Sequence, residues 1–292
     1  MTILVIGATG TNGRYVVRGL HAAGQPVRAL VRNPTTARAL FGADTEYPEL
    51  VEGDLNRPES LRPALLGIDT VFVALPSTEH FVVQAAAVTR AASAAGVRLV
   101  VKLSILGARA DSPSEILANH ARADAGLRDA GLATTLLRPN FFDQDLLWEA
   151  KDIQAEGAFH LPMGGARHSL IDARDIAAVA VAALTGTGHD GQTYVLTGPE
   201  ALSYADVAAH LSEATGATVR YVPITPAAYR ERLLAAGYPA WSAQAFADID
   251  VAAQAEEFAQ VTDTVARLTG RQPRRFAQFA RDHADRFARR TR

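Results

Sequence analysis

Apolar residues in the first half of the chain fall into two alternating patterns. Short unbroken runs occur at "TILVIG", "PVRALVR", "ELVEGD", "DTVFVALP", "VRLVVKLS" and "LATTLLRP". Their length and β-branched content are those of strands buried on both faces. Between them, apolar positions recur every three to four residues, as in "GRYVVRGLHAAG", "TTARALFG", "ESLRPALLG", "EHFVVQAAAVTRAASAAG" and "SEILANHARADAGLRDAG". That spacing is helical, and a glycine closes most of these stretches. Strands alternating with helices through short connections predict an α/β fold, a doubly wound parallel sheet of the Rossmann type with right-handed crossovers.

After Pro139 the alternation loosens. "DQDLLWEAKDIQAEG" reads as helix, and "AFHLPMGGARHSLI" as short extended pieces around a Gly-Gly turn. "DARDIAAVAVAALTG" reads as a helix with Asp172 at the N-cap and Asp175 three residues on, a start like a capping box. "GQTYVLTG" is a strand, and three or more helices follow Ser203. The expected organisation is a Rossmann domain over 1–155 and a smaller, mostly helical C-terminal lobe over 156–292, interwoven with the first. There is no internal repeat.

Composition narrows the class. Across 292 residues, 48% hydrophobic and 21% charged residues are ordinary for a globular protein, which excludes disorder. A net charge of −2 gives no electrostatic case for nucleic acid or an anionic membrane. Without cysteine there are no disulfides, thiolate nucleophiles or Cys-ligated metals, and no metal is expected. No apolar run approaches the roughly 18 residues of a membrane helix. The chain enters a strand at once, unlike a signal peptide. A cytoplasmic protein with a small-molecule partner is the expectation.

The sharpest motif is "TILVIGATGTNG". Gly7, Gly10 and Gly13 form G-x-x-G-x-x-G directly after a strand and before a helix, with Thr9, Thr11 and Asn12 in the same loop. In that setting the first glycine permits the turn, the second lets a phosphate approach the backbone, and the third lets helix and strand pack closely. The free N–H groups of the helix start then receive a pyrophosphate. The second strand ends in "LVRNP", so Arg32 stands where an NAD-binding protein has an acid. Arginine can take a 2′-phosphate, and the expected cofactor is NADP(H). Asp54, at the end of the third strand, is placed either to accept from an adenine amino group, with Leu55 against the ring, or to cap the next helix. Ala74, Leu75 and Pro76, after the fourth strand, are expected under the pyrophosphate and ribose.

Taken with "VVKLSILGA", "NHARADAGLRDAGLATTLLRPNFF", "DARDIAAVA" and "YVLTGPEALSYADVA", these motifs resemble the NmrA-like, atypical branch of the short-chain dehydrogenase/reductase superfamily. The stretch from His120 to Phe142 is similar to bacterial quinone reductases and triphenylmethane reductases of that branch. The resemblance covers nearly the whole chain. It implies a Rossmann domain with a small C-terminal lobe, with Pro139, Asn140 and Phe141 lining the nicotinamide side. It also implies that Phe142 and Trp148 offer apolar surface to a flat substrate.

The Tyr-x-x-x-Lys pair of the wider superfamily is absent: no tyrosine is followed four residues later by lysine. Three other candidates for chemistry remain. Ser104 ends the fifth strand and either donates to a developing oxyanion or caps a turn. Lys102, one of two lysines, shares its strand face and either contacts the cofactor, donates a proton or reaches solvent. His120 and Asp124, four apart on one helix, form either a proton relay or a helical ion pair. A quinone needs little acid assistance, because its reduced oxygens are weakly basic. The expected activity is therefore NADPH-dependent reduction of a quinone, enone or similar conjugated carbonyl, in bacterial secondary metabolism. The alternatives are a non-catalytic NADP(H)-binding sensor, with the Arg-rich tail "RRFAQFARDHADRFARRTR" as partner surface, and an isomerase or dehydratase with bound cofactor. The tail's other reading is an amphipathic helix with Phe276, Phe279 and Phe287 turned inward.

Overall fold

The computed structural model describes residues 2–42 and 47–289. The last three residues of the Arg-rich tail, 290–292, lie outside that range. In chain order the elements begin β1 (Thr2–Ile6), α1 (Thr11–Ala22), β2 (Val27–Val31), α2 (Pro34–Phe41), β3 (Glu49–Glu52), α3 (Leu61–Leu65), β4 (Ile68–Val73), α4 (Phe81–Ala94), β5 (Leu99–Leu103), α5 (Glu115–Asp129) and β6 (Thr134–Pro139). A 3-10 segment (Asp143–Glu149) follows, then α6 (Ala150–Glu156), β7 (Ala158–Leu161), β8 (Arg167–His168), α7 (Ala173–Thr185), β9 (Thr193–Leu196), β10 (Leu202–Ser203), α8 (Tyr204–Thr215) and β11 (Arg220–Pro223). Next come α9 (Pro226–Ala235), α10 (Ala240–Ala252), a further 3-10 turn (Glu256–Ala259), α11 (Thr264–Thr269), α12 (Phe276–Asp282) and α13 (Ala284–Phe287).

The chain divides into two units. One holds 1–110, 119–138 and 176–194; the other holds 111–118, 139–175 and 195–292. The chain first leaves the sheet unit near residue 110 and finally after 194, so the division is threaded through the sequence.

The sheet unit is built on a seven-stranded sheet in the order β3-β2-β1-β4-β5-β6-β9. β1 pairs in parallel with both β2 and β4, so the strand order reverses beside its carboxyl end, where open α/β sheets bind ligands. Each strand is short and apolar because both faces are covered. Leu4, Ile6, Leu30, Val71, Val73 and Val100 are buried with Ala87 and Val88 of α4 and Leu127 of α5. Gly19 brings α1 against α7, since a Cβ there would stand 2.9 Å from Val181 Cγ2.

The second unit, the lobe, has its own core around Phe159, Leu211, Phe279 and Phe287. Two small sheets frame it, β7 parallel to β11 and β8 antiparallel to β10. β11 breaks the helices expected beyond Ser203: "RYVP" pairs with β7, which its short, weakly patterned sequence does not announce. The expected helix from Asp143 begins as a 3-10 segment and becomes α-helical only at Ala150. At the start of α7, Asp172 Oδ1 accepts the Arg174 N–H, as expected of an N-cap. Asp175 does not complete a capping box, because its carboxylate is turned to Arg274. The true box is at α8, where the Ser203 and Asp206 side chains each accept the other's backbone N–H. The tail forms α12 and α13, with Phe276, Phe279 and Phe287 buried.

Candidate functional site

The glycine loop joins β1 to α1. Gly7 has a φ of +81°, and a Cβ on it would lie 2.2 Å from Ala74 O, so both conformation and packing demand glycine. Gly13 is equally constrained, with a would-be Cβ 2.1 Å from Gly7 O. Gly10 is different. Its φ of −77° suits any residue, and the nearest atom to an added Cβ is Gly7 O at 3.3 Å. The backbone angle at Gly10 therefore does not demand glycine, the fit against Gly7 O is tight without being prohibitive, and a ligand pressed against the loop needs the position bare. Gly10 is the N-cap of α1 with no side-chain cap, and the first turn of α1 carries no acid. The leading N–H groups of α1 thus have no intrahelical acceptor and present a positive dipole end. Asn12 is 5% exposed and its Oδ1 has no partner among the described residues. A bare backbone and free donors fit the pyrophosphate of a dinucleotide.

Arg32 follows β2 directly and is exposed; among the described residues nothing pairs with it. Its neighbour Asn33 is occupied as the N-cap of α2, with Oδ1 accepting the Thr36 N–H. Asp54 forms a local turn in which Oδ1 accepts the Asn56 N–H at 2.9 Å and Oδ2 lies 3.9 Å from Arg57. Leu55 and Leu75 pack at the edge of the sheet core, and Ala74 closes on Gly7.

The second cluster lies beneath β5. Lys102 and Ser104 alternate onto one face of that strand, and both are buried. Asp124, on α5, takes them both. Its Oδ1 accepts from Lys102 Nζ at 2.8 Å, and its Oδ2 from Ser104 Oγ at 2.7 Å and Arg138 at 3.1 Å. Asp124 therefore pairs with Lys102 and Arg138, and the helical pair expected with His120 is not formed. His120 instead stacks on Phe81, ring centroids 4.5 Å apart, with Nδ1 3.5 Å from Lys102 Nζ. Burial first, then the nearby Lys102 and Arg138 charges, push His120 well below its ordinary value, so the ring is neutral. Burial also lowers Lys102, while Asp124 opposes it. The Ser104 hydrogen is committed to Asp124, so that hydroxyl is not a free donor toward an oxyanion. Sequence reading missed Arg138. Its signal was available: Leu136 pairs with Lys102, so Arg138 falls level with Ser104 on the same face.

In the lobe, Asn140 is 1% exposed and its polar groups are engaged locally. Nδ2 donates to Ser169 Oγ at 2.8 Å and Phe258 O at 2.6 Å, while Oδ1 accepts the Phe141 N–H. Phe141 packs on His168 and Phe258 with centroids 5.5 and 6.0 Å apart. Pro139 is buried at the end of β6. These three residues tie the start of the lobe together, whatever else they touch. Phe142 is half-buried, and its N–H donates to Asp145. Trp148 is 63% exposed, and its ring lies 6.3 Å from that of Phe246 on α10. Phe246 was not anticipated, because an aromatic residue in an alanine-rich helix reads as core.

A Rossmann sheet with a phosphate cradle at its switch point, the Lys102–Asp124 network under β5 and a separate aromatic lobe together define an atypical short-chain reductase fold. The chain belongs to the NmrA-like family, whose sequence profile matches residues 1–273. It is 44% identical over 285 residues to an NAD(P)H azoreductase of Xenophilus azovorans, covering 98% of this chain and 99% of that one. It superposes with a TM-score of 0.85 on the NADPH complex of an NADPH-dependent quinone oxidoreductase of Escherichia coli, at 29% identity over 95% of this chain and 98% of that one. Against the NADP(H) complex of the Citrobacter sp. triphenylmethane reductase the TM-score is 0.81, at 26% identity over 97% and 99% of the two chains. Among the described residues no helix is long and apolar enough to cross a membrane.

Proposed function

We propose that this protein is an NADPH-dependent reductase of planar conjugated acceptors, quinones, enones and azo compounds among them. The observation that carries the reading is Gly10, a glycine that its own backbone angle does not require, at the uncapped start of α1, together with an unpaired Arg32. Gly7–Gly13 and the start of α1 would hold the pyrophosphate, and Arg32 the 2′-phosphate. When bound, NADPH supplies the hydride.

The protein's own part is to hold, orient and dry the site. Asp124 fixes Lys102 and Ser104 in one arrangement by accepting from both. For Lys102 to donate toward His120 Nδ1, the ring proton must sit on Nε2, which leaves the neutral imidazole one N–H to offer. Phe142 and Trp148 supply apolar surface for a flat acceptor. A reduced quinone oxygen is weakly basic, so it can leave as the anion and take its proton from water, or take the His120 Nε2 proton as Lys102 Nζ returns one to Nδ1. No Tyr-x-x-x-Lys pair is needed.

Arg32→Glu tests the cofactor assignment. Loss of a charge-assisted contact is worth about 1.5–3 kcal/mol, or one to two decades in affinity. Calorimetric titration should show NADPH binding weakened by that amount and NADH binding little changed. Equal affinity of the wild-type protein for the two cofactors would remove Arg32 from the site. Quinone-dependent oxidation of NADPH by the wild-type protein tests the activity itself.

A further inference from the structure

Three charged groups and one neutral ring meet beneath β5. The side chains of Lys102 and Asp124 are 2% and 1% exposed, and that of Arg138 is 24% exposed. Donors take both oxygens of Asp124: Lys102 Nζ at Oδ1, 2.8 Å away, and Ser104 Oγ and Arg138 at Oδ2, 2.7 and 3.1 Å away. Accepting from three donors is what an ionised carboxylate does. His120 is neutral, so the cluster holds one anion against two cations. The other groups set against Lys102 carry no charge. Its strand neighbours are Val73 and Leu136, and α4 presents the Phe81 ring, its centroid 5.7 Å from Nζ.

A surplus positive charge is costly in a buried cluster, and this cluster can shed it in one way. A guanidinium keeps its proton in proteins, whereas a buried ammonium gives its proton up readily. If Lys102 becomes an amine, Asp124 still has Arg138 as its counter-ion, and the pair that remains is neutral. Without Arg138 the same loss would strand Asp124 as a lone buried anion. Arg138 therefore decides whether the Lys102 proton can leave. The titration behaviour agrees: burial lowers Lys102 against the pull of Asp124, and the Arg138 charge lowers it further.

The way out is His120. Its Nδ1 lies 3.5 Å from Lys102 Nζ, and Phe81, stacked with centroids 4.5 Å apart, fixes the plane of the ring. We propose that Arg138 is a positioning residue that makes Lys102 the proton reserve of this site, by remaining as counter-ion to Asp124 when the lysine becomes an amine. The proposal deepens the reductase reading and rests on it for the acceptor. As the reduced acceptor oxygen takes the Nε2 proton, an N–H bond breaks at Lys102 Nζ and one forms at Nδ1. The ring stays neutral with its proton on the other nitrogen, and Nδ1–H now faces the amine lone pair. After the product leaves, water returns a proton to Nε2 and Nδ1 gives its own back to Nζ.

The test exploits composition. Lys102 and Lys151 are the only lysines in the chain, so lysine labelled with ¹³C at Cε gives two resonances, and Lys151→Arg assigns them. On titration of the full chain without cofactor, the Lys102 resonance should move at a pH below the ordinary value of a lysine. Arg138→Gln should shift that midpoint upward. With an enone as acceptor, Arg138→Gln should lower kcat by about tenfold while the KM for NADPH stays the same. Turnover of the enone is lost as pH rises and the reserve empties, so the alkaline limb should move up together with the Lys102 midpoint. A role in folding alone would move neither. Melting curves report whether Arg138→Gln folds; if it does not, Arg138→Met, which also removes the charge, is read in its place. A Lys102 resonance that stays protonated through the ordinary lysine range, or a midpoint that loss of the Arg138 charge leaves unmoved or lowers, overturns the proposal. Quinone reduction alongside either result would leave the reductase reading standing. A low Lys102 midpoint that answers to Arg138, in a protein that oxidises NADPH with no acceptor, would keep the assignment of Arg138 and Lys102 and remove the reductase reading.

Discussion

Asp124 and Asp143 are buried to nearly the same depth, 1% and 0% exposed, in opposite circumstances. Asp124, in the sheet unit, receives Lys102, Ser104 and Arg138. Asp143, in the lobe, has no partner for either carboxylate oxygen among the described residues and lies near Asp172 and Asp175. Burial and those two acids push Asp143 well above the usual carboxylate range, which favours its neutral form. The difference shows that depth alone does not set the state of a buried acid; the donors built around it do. The sheet unit uses its acid as the hub of a charged network. The lobe keeps Asp143 without such a hub.

The comparison can be broken most decisively at Asp124. Asp124→Asn leaves Lys102 buried and uncompensated, and such a loss costs about 3–5 kcal/mol. Chemical denaturation should show a drop of that size; an unchanged midpoint would mean that Lys102 carries no charge there. The reverse is expected at Asp143. Its folded-state value is raised, so its contribution is favourable below the ordinary carboxylate value near 4 and is lost as pH climbs toward the folded value. Asp143→Asn should therefore be the more stable protein at pH 7, by about 1–3 kcal/mol, with an advantage that shrinks on acidification. A variant less stable than wild type at every pH would mean that Asp143 has a partner that keeps it ionised. The smallest effect is expected at Ser104. Ser104→Ala removes one of three donors to Asp124 and should cost about 1 kcal/mol, with less than a tenfold loss in quinone turnover. A loss of about 10²-fold or more would place its hydroxyl at the reacting atoms and undo the view of this network as a scaffold.

Much of the sheet unit can be read along the sequence. The runs at Thr2–Ile6, Val27–Val31 and Leu99–Leu103 are strands where the pattern put them, because a strand covered on both faces must be continuously apolar. The glycine loop was legible for a related reason: Gly7 turns the chain at a φ of +81° and Gly13 answers a steric demand from Gly7 itself, although Ala74, which also closes on Gly7, comes from the end of β4. The lobe was less legible. β11 exists only because β7 offers it an edge, and the first turn after Phe142 is 3-10, with Asp145 accepting the Phe142 N–H. Asp175 looked like a helix cap until Arg274, ninety-nine residues away, claimed its carboxylate.

The sequence by itself determined the alternation of strands and helices, the glycine loop between β1 and α1 and the arginine in place of an acid after β2. Each follows from local sterics, hydrophobic period or the charge of one residue. It also supplied Lys102, Ser104, His120 and Asp124 as polar residues in apolar surroundings, without saying which would pair. Only the tertiary structure decided that Asp124 serves Lys102, Ser104 and Arg138 together while His120 stacks on Phe81. Partnership and charge state depend on which groups meet when distant segments pack, and no periodicity encodes that meeting.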